Sequence, residues 1–248
     1  MKRFNSTIVS INVMKMILAG DQPDYLPYIG FFHKMLNCDK YMIVDHVQYS
    51  KKSFQNRNQI RGNNGPILLT VPVFTKEKFE QPIRDVMINN QVNWQKKHFR
   101  SITLSYQNAP YYNDFKDFFE NIYSKKWERL VDLNEFIIRY IAKILEVDLE
   151  IEKSSNFNFN GKKTDLLVEM CKKTETEIYL SGEGGRAYVD NEKFKNNNLK
   201  NYFTNFKHPV YKQLSEPFIP LMSTIDLLLN HDLKTSKKII KESGMIGE

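Results

Sequence analysis

His208 stands immediately before Pro209, whose ring biases the histidine toward extended backbone. An imidazole held there, with an unperturbed pKa of roughly 6.5, suits proton removal near neutrality, with a backbone hydrogen bond as the structural alternative. Asp45 closes an apolar run over residues 38–44 and offers a carboxylate for the same task. Arg57 lies between Asn56 and Asn58, so a planar guanidinium with an amide on either side is available for a phosphate or a carboxylate, or for a plain surface turn. Ser181-Gly182-Glu183-Gly184-Gly185-Arg186 places three glycines, a hydroxyl and a cation directly after another apolar run. That composition suits a loop whose backbone N–H groups surround an anion, although it is neither a Walker nor a dinucleotide fingerprint. Anion binding combined with proton transfer is the chemistry these residues share.

The elements that must position them follow from the apolar patterning. Residues 16–20 and 38–44 are short apolar runs of the kind buried strands need, and residues 31–36 between them have helical spacing. Strand, loop, helix, strand is the resulting order. The loop, Gln22-Pro23-Asp24-Tyr25-Leu26-Pro27-Tyr28-Ile29-Gly30, is stiffened by two prolines and opened to close approach by Gly30. A loop at the carboxyl end of a parallel strand is where α/β proteins hold ligands. Gly62-Asn63-Asn64-Gly65 predicts a turn and residues 67–73 a third strand, while 83–88 alternate as an edge strand would. Helices are predicted over 94–106, 111–123 and 127–145, then a strand at 149–153, a helix from an N-capping Thr164 to Lys173, and strands at 177–180 and within 194–206. A last helix covers 222–230, with Ser223 as its N-cap or as a site residue.

Several blocks in this order resemble the WbqC-like family of bacterial proteins: Gln22 to Phe32, Asp45 to Tyr49, Asn56-Arg57-Asn58, Thr70-Val71-Pro72-Val73, then Tyr179 to Gly182, Ala187 to Asp190, His208 to Gln213 and Ser223 to Asp226. The resemblance spans about residues 16–235. It implies a role in O-antigen or other surface-polysaccharide synthesis, beside enzymes that make nucleotide-linked amino sugars. Its blocks also point to Gln22, Tyr25, Gly30, Gln48, Arg57, Asn58, Ser181, Gly182, Tyr188, Tyr211 and Gln213 as substrate-binding positions, and the nearby cations Lys51 and Arg186 join them as candidates for binding an anion. Two positions depart from the pattern: His46 and His33 stand where the family is acidic or polar. The first fifty residues also resemble nucleotidyltransferase-like folds, in which a His-x-Gly-His motif opens the first helix. Here that place reads Tyr28-Ile29-Gly30-Phe31, which keeps the glycine and lacks both imidazoles.

The fold expected is therefore α/β and Rossmann-like, a mostly parallel sheet with a helical insertion about 94–146. Its domain would cover 16–235, preceded by an extension or upstream start over 1–15 and followed by a charged tail from 236. The formal net charge of +7 invites a nucleic-acid reading, but the lysines are interleaved with acids and a small anionic ligand fits as well. Two cysteines, Cys38 and Cys171, both in apolar surroundings, predict free thiols in a reducing cytoplasm. Histidines without ligand-like spacing predict no metal site, and no apolar run reaches the ~20 residues of a membrane span. The function these signs favour is formation of an amide on a nucleotide-linked amino sugar. Arg57, Lys51 and the Ser181 to Arg186 loop would hold the diphosphate, His208 or Asp45 would act as base, and Gln22 or Asn58 would stabilise the oxyanion. The acyl donor is left open between acyl-coenzyme A and ATP-dependent activation. The alternatives are an ATP-dependent ligase or nucleotidyltransferase-like enzyme, and a non-catalytic sugar-nucleotide-binding protein of the same pathway.

Overall fold

The structure is a computed structural model that describes residues 15–76 and 80–247. Most of the extension expected over 1–15 lies outside these residues. In chain order the main elements are β1 (Ile17–Asp21), α1 (Ile29–Met35), β2 (Lys40–Ile43), β3 (Arg57–Gly62), β4 (Gly65–Thr70), α2 (Trp94–Tyr106), α3 (Lys116–Ser124) and α4 (Leu130–Ile144). There follow β5 (Glu150–Lys153), α5 (Thr164–Lys173), β6 (Ile178–Ser181), α6 (Asn191–Lys195), β7 (Lys200–Phe206), α7 (Thr224–Asn230), α8 (Leu233–Lys241) and β8 (Gly244–Gly247).

Six strands form one sheet in the order β5-β2-β1-β6-β7-β8. All neighbours are parallel except β7 and β8. The fold is thus α/β with a mostly parallel, Rossmann-like sheet. Successive side chains of β1 explain why both faces need cover: Leu18 joins the core shared with Met42, Tyr179 and α5, and Ala19 joins the opposite core with Tyr41, Ile43 and Leu180. The chain passes outward from β1 through β2 to β5 and then returns to place β6 on β1's other side. Strand order reverses there, and the carboxyl ends of β1 and β6 flank an open crevice.

The helical insertion packs α2, α3 and α4 into the larger core with α1. The turn predicted at residues 62–65 closes a hairpin, with Gly65 at φ +132°, a conformation that L side chains rarely adopt. The strand after it belongs to this separate β3-β4 hairpin and not to the main sheet. Residues 83–88 differ from the expected edge strand. Ile83–Asp85 is a 3-10 turn, because the Ile83 and Arg84 amides donate to the carbonyls of Val47 and Asp45 and draw the segment against the 45–47 loop. Thr164 does not cap its helix; its hydroxyl donates to Tyr188 O at 3.2 Å and accepts from Asp190 N at 3.1 Å. The segment expected as a charged tail forms α8, capped by Asp232, and then β8, which pairs with β7. Cys171 is buried and Cys38 partly buried, both as free thiols. No described helix is long and apolar enough to cross a membrane.

Candidate active site at the strand-order reversal

A cavity of about 650 Å³ opens over the carboxyl ends of β1, β6 and β7. Asp21, the last residue of β1, is clamped through both oxygens: Lys34 Nζ of α1 donates to Oδ1 at 2.6 Å, and the Tyr41 hydroxyl of β2 donates to Oδ2 at 2.7 Å. Lys34 also donates to Gly20 O at 2.9 Å and is 6% exposed. A methyl group at Gly182 would come to 3.8 Å of its ammonium, so the start of the glycine loop lies over that ion pair.

Asp24 lines the same cavity. Its carboxyl opens partly onto the cavity, yet the surrounding protein desolvates it and the Asp21 charge adds to the effect, so its pKa is pushed up to about 7. Lys34 opposes the rise, and no hydrogen bond from the described residues assists it. Desolvation, then Asp21 and Asp24, push the Tyr28 hydroxyl up to about 12. Asp21, Asp24 and Glu183 face Lys34 around this cavity, so acids outnumber cations there in a chain whose net charge is +7.

The loop from β1 to α1 is pinned from behind at Pro23, Tyr25 and Leu26. Asn134 donates to Pro23 O at 2.8 Å, Phe54 O accepts from Tyr25 N at 3.0 Å, and Asn58 donates to Leu26 O at 2.7 Å. The buried Tyr25 hydroxyl lies 2.9 Å from His98 Nδ1 and 2.7 Å from the Tyr123 hydroxyl. Asp24, between these anchors, and Tyr28, just after them, face the cavity.

The other predicted residues divide in the same way. Gly30, Ser181, Gly182, Tyr188 and His208 line the cavity, and Gln22 lines a neighbouring one. A Cβ at Gly30 would stand 2.5 Å from the Tyr28 ring, so glycine is what lets that ring lie over α1. Ser181 donates to Asn201 Oδ1 at 2.6 Å. His208 Nδ1 donates to Pro209 O at 2.9 Å and Nε2 accepts from Leu221 N at 3.0 Å, so both ring nitrogens serve the backbone. Burial lowers its pKa.

Arg186 pairs with Glu183 at 3.1 Å and lies 4.4 Å from the Phe203 ring centre. Asp45 sits outside the cavity lining and accepts from Ser154 Oγ, Ser155 N and Ser155 Oγ at 3.0, 2.8 and 2.7 Å. The Arg57 guanidinium donates to Lys52 O, Gln48 bridges to Pro82, and Lys51 is exposed. Tyr211 and Gln213 each donate to Asp226 at 2.8 Å and hold the segment that carries His208. Neither departure from the family pattern reaches the cavity: His33 is fully buried beside Phe206 with no hydrogen bond of normal geometry, and His46 Nδ1 lies 2.6 Å from Ser154 Oγ. Asp21, Asp24, Tyr28 and Lys34 are not among the residues that the sequence singles out, although the first three lie in or beside the loop over residues 22–30.

The WbqC-like protein family matches residues 22–238. The chain belongs to that family. This WbqC-like protein is also 31% identical over 211 residues to the uncharacterized protein Rv1507c of Mycobacterium tuberculosis, covering 84% of the present chain and 91% of that one. No solved structure matches the WbqC-like protein. The matched region begins at Gln22, so it contains the β1 to α1 loop and the later elements around the cavity, while Gly20 and Asp21 of β1 precede it.

Proposed function

We propose that this WbqC-like protein is an enzyme that forms an amide on the amino group of a nucleotide-linked sugar, in the synthesis of a surface polysaccharide. The observation that carries the reading is Asp24, a carboxyl poised at about pH 7 that faces an acidic cavity at the strand-order reversal. A carboxylate there accepts a proton from an amine as its nitrogen becomes a nucleophile. We assign the proton transfer to Asp24 ahead of His208, whose ring nitrogens are engaged, and of Asp45, which lies outside the lining.

The acid excess favours the amine-bearing part of the ligand, held by charge and by the hydroxyls of Tyr28, Tyr188 and Thr204. The diphosphate then extends past Arg186 at the edge of the glycine loop. Adenylyl transfer by paired imidazoles is disfavoured, because Tyr28 and Phe31 occupy the cavity positions where those imidazoles would stand.

The test is a melting-temperature screen against nucleotide-linked amino sugars, their N-acylated counterparts and free nucleotides. A ligand that binds only the folded state raises the melting temperature by mass action. Stabilisation by an amino sugar nucleotide exceeding that by its N-acylated form is the expected result. Equal response to both, or none to either, counts against the reading.

A further inference from the structure

A second cavity, of about 640 Å³, adjoins the first on the other side of β1's carboxyl end. The two share Gly20, Asp21, Asp24, Tyr179 and Tyr188, so Asp24 stands at the waist between them. Their walls differ in chemistry. The first carries Ser181, Glu183, Thr204 and His208. The second is walled by Val44, Val47, Leu166 and Leu167, with the exposed ring of Phe54 beside them. Beyond the polar residues it shares with the first, its own polar groups are Ser53, Lys163 and Gln22. Gln22 Oε1 is occupied by Gln55 Nε2, and the Gln22 NH2 has no partner among the described residues. Two cavities of nearly equal volume that meet at one titratable carboxyl give a two-substrate transfer what it needs, because each reactant is held while the reacting atoms meet at the waist.

Resting on the functional reading above, we propose that the second cavity is the acyl-donor site and takes an acyl group activated on an anionic carrier. The acyl chain lies on Val44, Val47, Leu166 and Leu167, its carbonyl oxygen faces the Gln22 NH2, and the carrier's negative charge faces Lys163. The amine nitrogen, from the first cavity, attacks the carbonyl carbon and forms the N–C bond. Its surplus proton passes to the Asp24 carboxylate. The bond from carbon to the carrier's sulfur or oxygen then breaks, and Asp24 returns the proton to the leaving group, so the carboxylate is regenerated and nothing is oxidised or reduced.

Calorimetric titration of wild type, Lys163→Glu, Val47→Trp and Gly184→Phe tests this with three probes: the amino sugar nucleotide, acetyl-coenzyme A, and ATP with acetate. Lys163 is exposed, and a Cβ at Gly184 meets nothing within 4 Å, so both substitutions start from open positions. Lys163→Glu and Val47→Trp should each weaken the donor about tenfold or more and leave the amino sugar nucleotide within about twofold. Gly184→Phe should do the reverse. Binding of acetyl-coenzyme A identifies a thioester source, and binding of ATP with acetate identifies a source in which an acetate oxygen bonds to a phosphorus of ATP as a phosphoanhydride bond breaks and ADP or pyrophosphate leaves; either supports the site. Both substrates weakened by the same substitution, or donor binding insensitive to Lys163→Glu and Val47→Trp, overturns it. If the amino sugar nucleotide binds and neither donor does, the donor site falls and the sugar reading stands. If a donor binds in the second cavity and no amino sugar nucleotide binds, the donor site stands and the sugar reading falls.

Discussion

Two carboxylates sit beyond strand ends on the same edge of the sheet, and they have opposite surroundings. Asp45, beyond β2, accepts three hydrogen bonds from Ser154 and Ser155 and is 1% exposed. Asp24, beyond β1, is desolvated beside another carboxylate and opens onto a cavity with no hydrogen bond from the described residues to stabilise its charge. A satisfied carboxylate ties two segments together; an unsatisfied one retains a proton affinity that folding does not require. Position at a strand end does not separate structure from chemistry in this molecule. The count of hydrogen bonds does.

The sharpest way to break this contrast is Asp24→Asn. Removing a proton acceptor at the reacting centre should lower kcat by about 10²- to 10⁴-fold, read as amide product formed per enzyme. The same substitution should stabilise the fold at alkaline pH. Because the folded pKa of about 7 lies above the unfolded value, the folded state binds more protons between pH 3.8 and about 7, and Asp24's favourable contribution disappears as pH rises through that window. Asparagine removes the penalty that remains above pH 7, up to roughly 4 kcal/mol from a shift of that size. Urea midpoints at pH 8 that fall in the variant would show that Asp24 is structural after all.

Asp45→Ala should behave in the opposite way. It strands the Ser154 and Ser155 donors and should cost roughly 3 kcal/mol in a urea melt, while the folded fraction keeps its kcat. A loss of kcat with unchanged stability would return Asp45 to the catalytic list.

The contrast also explains what was readable in the sequence. The loop from Gln22 to Gly30, the glycine loop, the hairpin turn and most strands were legible because each is fixed by a local pattern of apolar residues, prolines and glycines. Asp24 was not, because an aspartate after a proline reads as turn chemistry until β6 is known to pair with β1 and enclose it. Asn58, Tyr25, Tyr211 and Gln213 were found as motif residues, but a motif does not say whether its side chain meets a ligand or the loop behind it. β8 escaped because Gly244-Met245-Ile246-Gly247 is too short to announce a strand, and it takes its form from the edge of β7.

Histidine burial gives a third, comparable effect. His98 is held down to about pKa 4, chiefly by desolvation, and burial lowers His33, His46 and His208 as well. The unfolded chain binds more protons below pH 6.5, so the stability these neutral rings provide is complete above that value and is lost as pH falls toward the folded pKa. His98 alone accounts for about 3 kcal/mol between pH 6.5 and 4. His98→Gln should flatten that part of the stability profile and leave the pH dependence of turnover near 7, assigned to Asp24, in place.

The smallest expected effect tests the cavity itself. Gly182 has an ordinary extended backbone, and a Cβ there would meet only Lys34 Nζ, at 3.8 Å. Gly182→Ala should therefore leave stability within about 1 kcal/mol of wild type, on the stabilising side, because alanine restricts the unfolded chain. The added methyl nevertheless projects beside the Asp21–Lys34 pair where the ligand approaches, so KM for the amino sugar should rise severalfold with kcat little changed. That split, a gain in stability with weaker binding, is what a residue kept small for a ligand produces. Unchanged KM would mean that the ligand passes elsewhere, and the first cavity would lose its assignment while Asp24 kept its raised pKa.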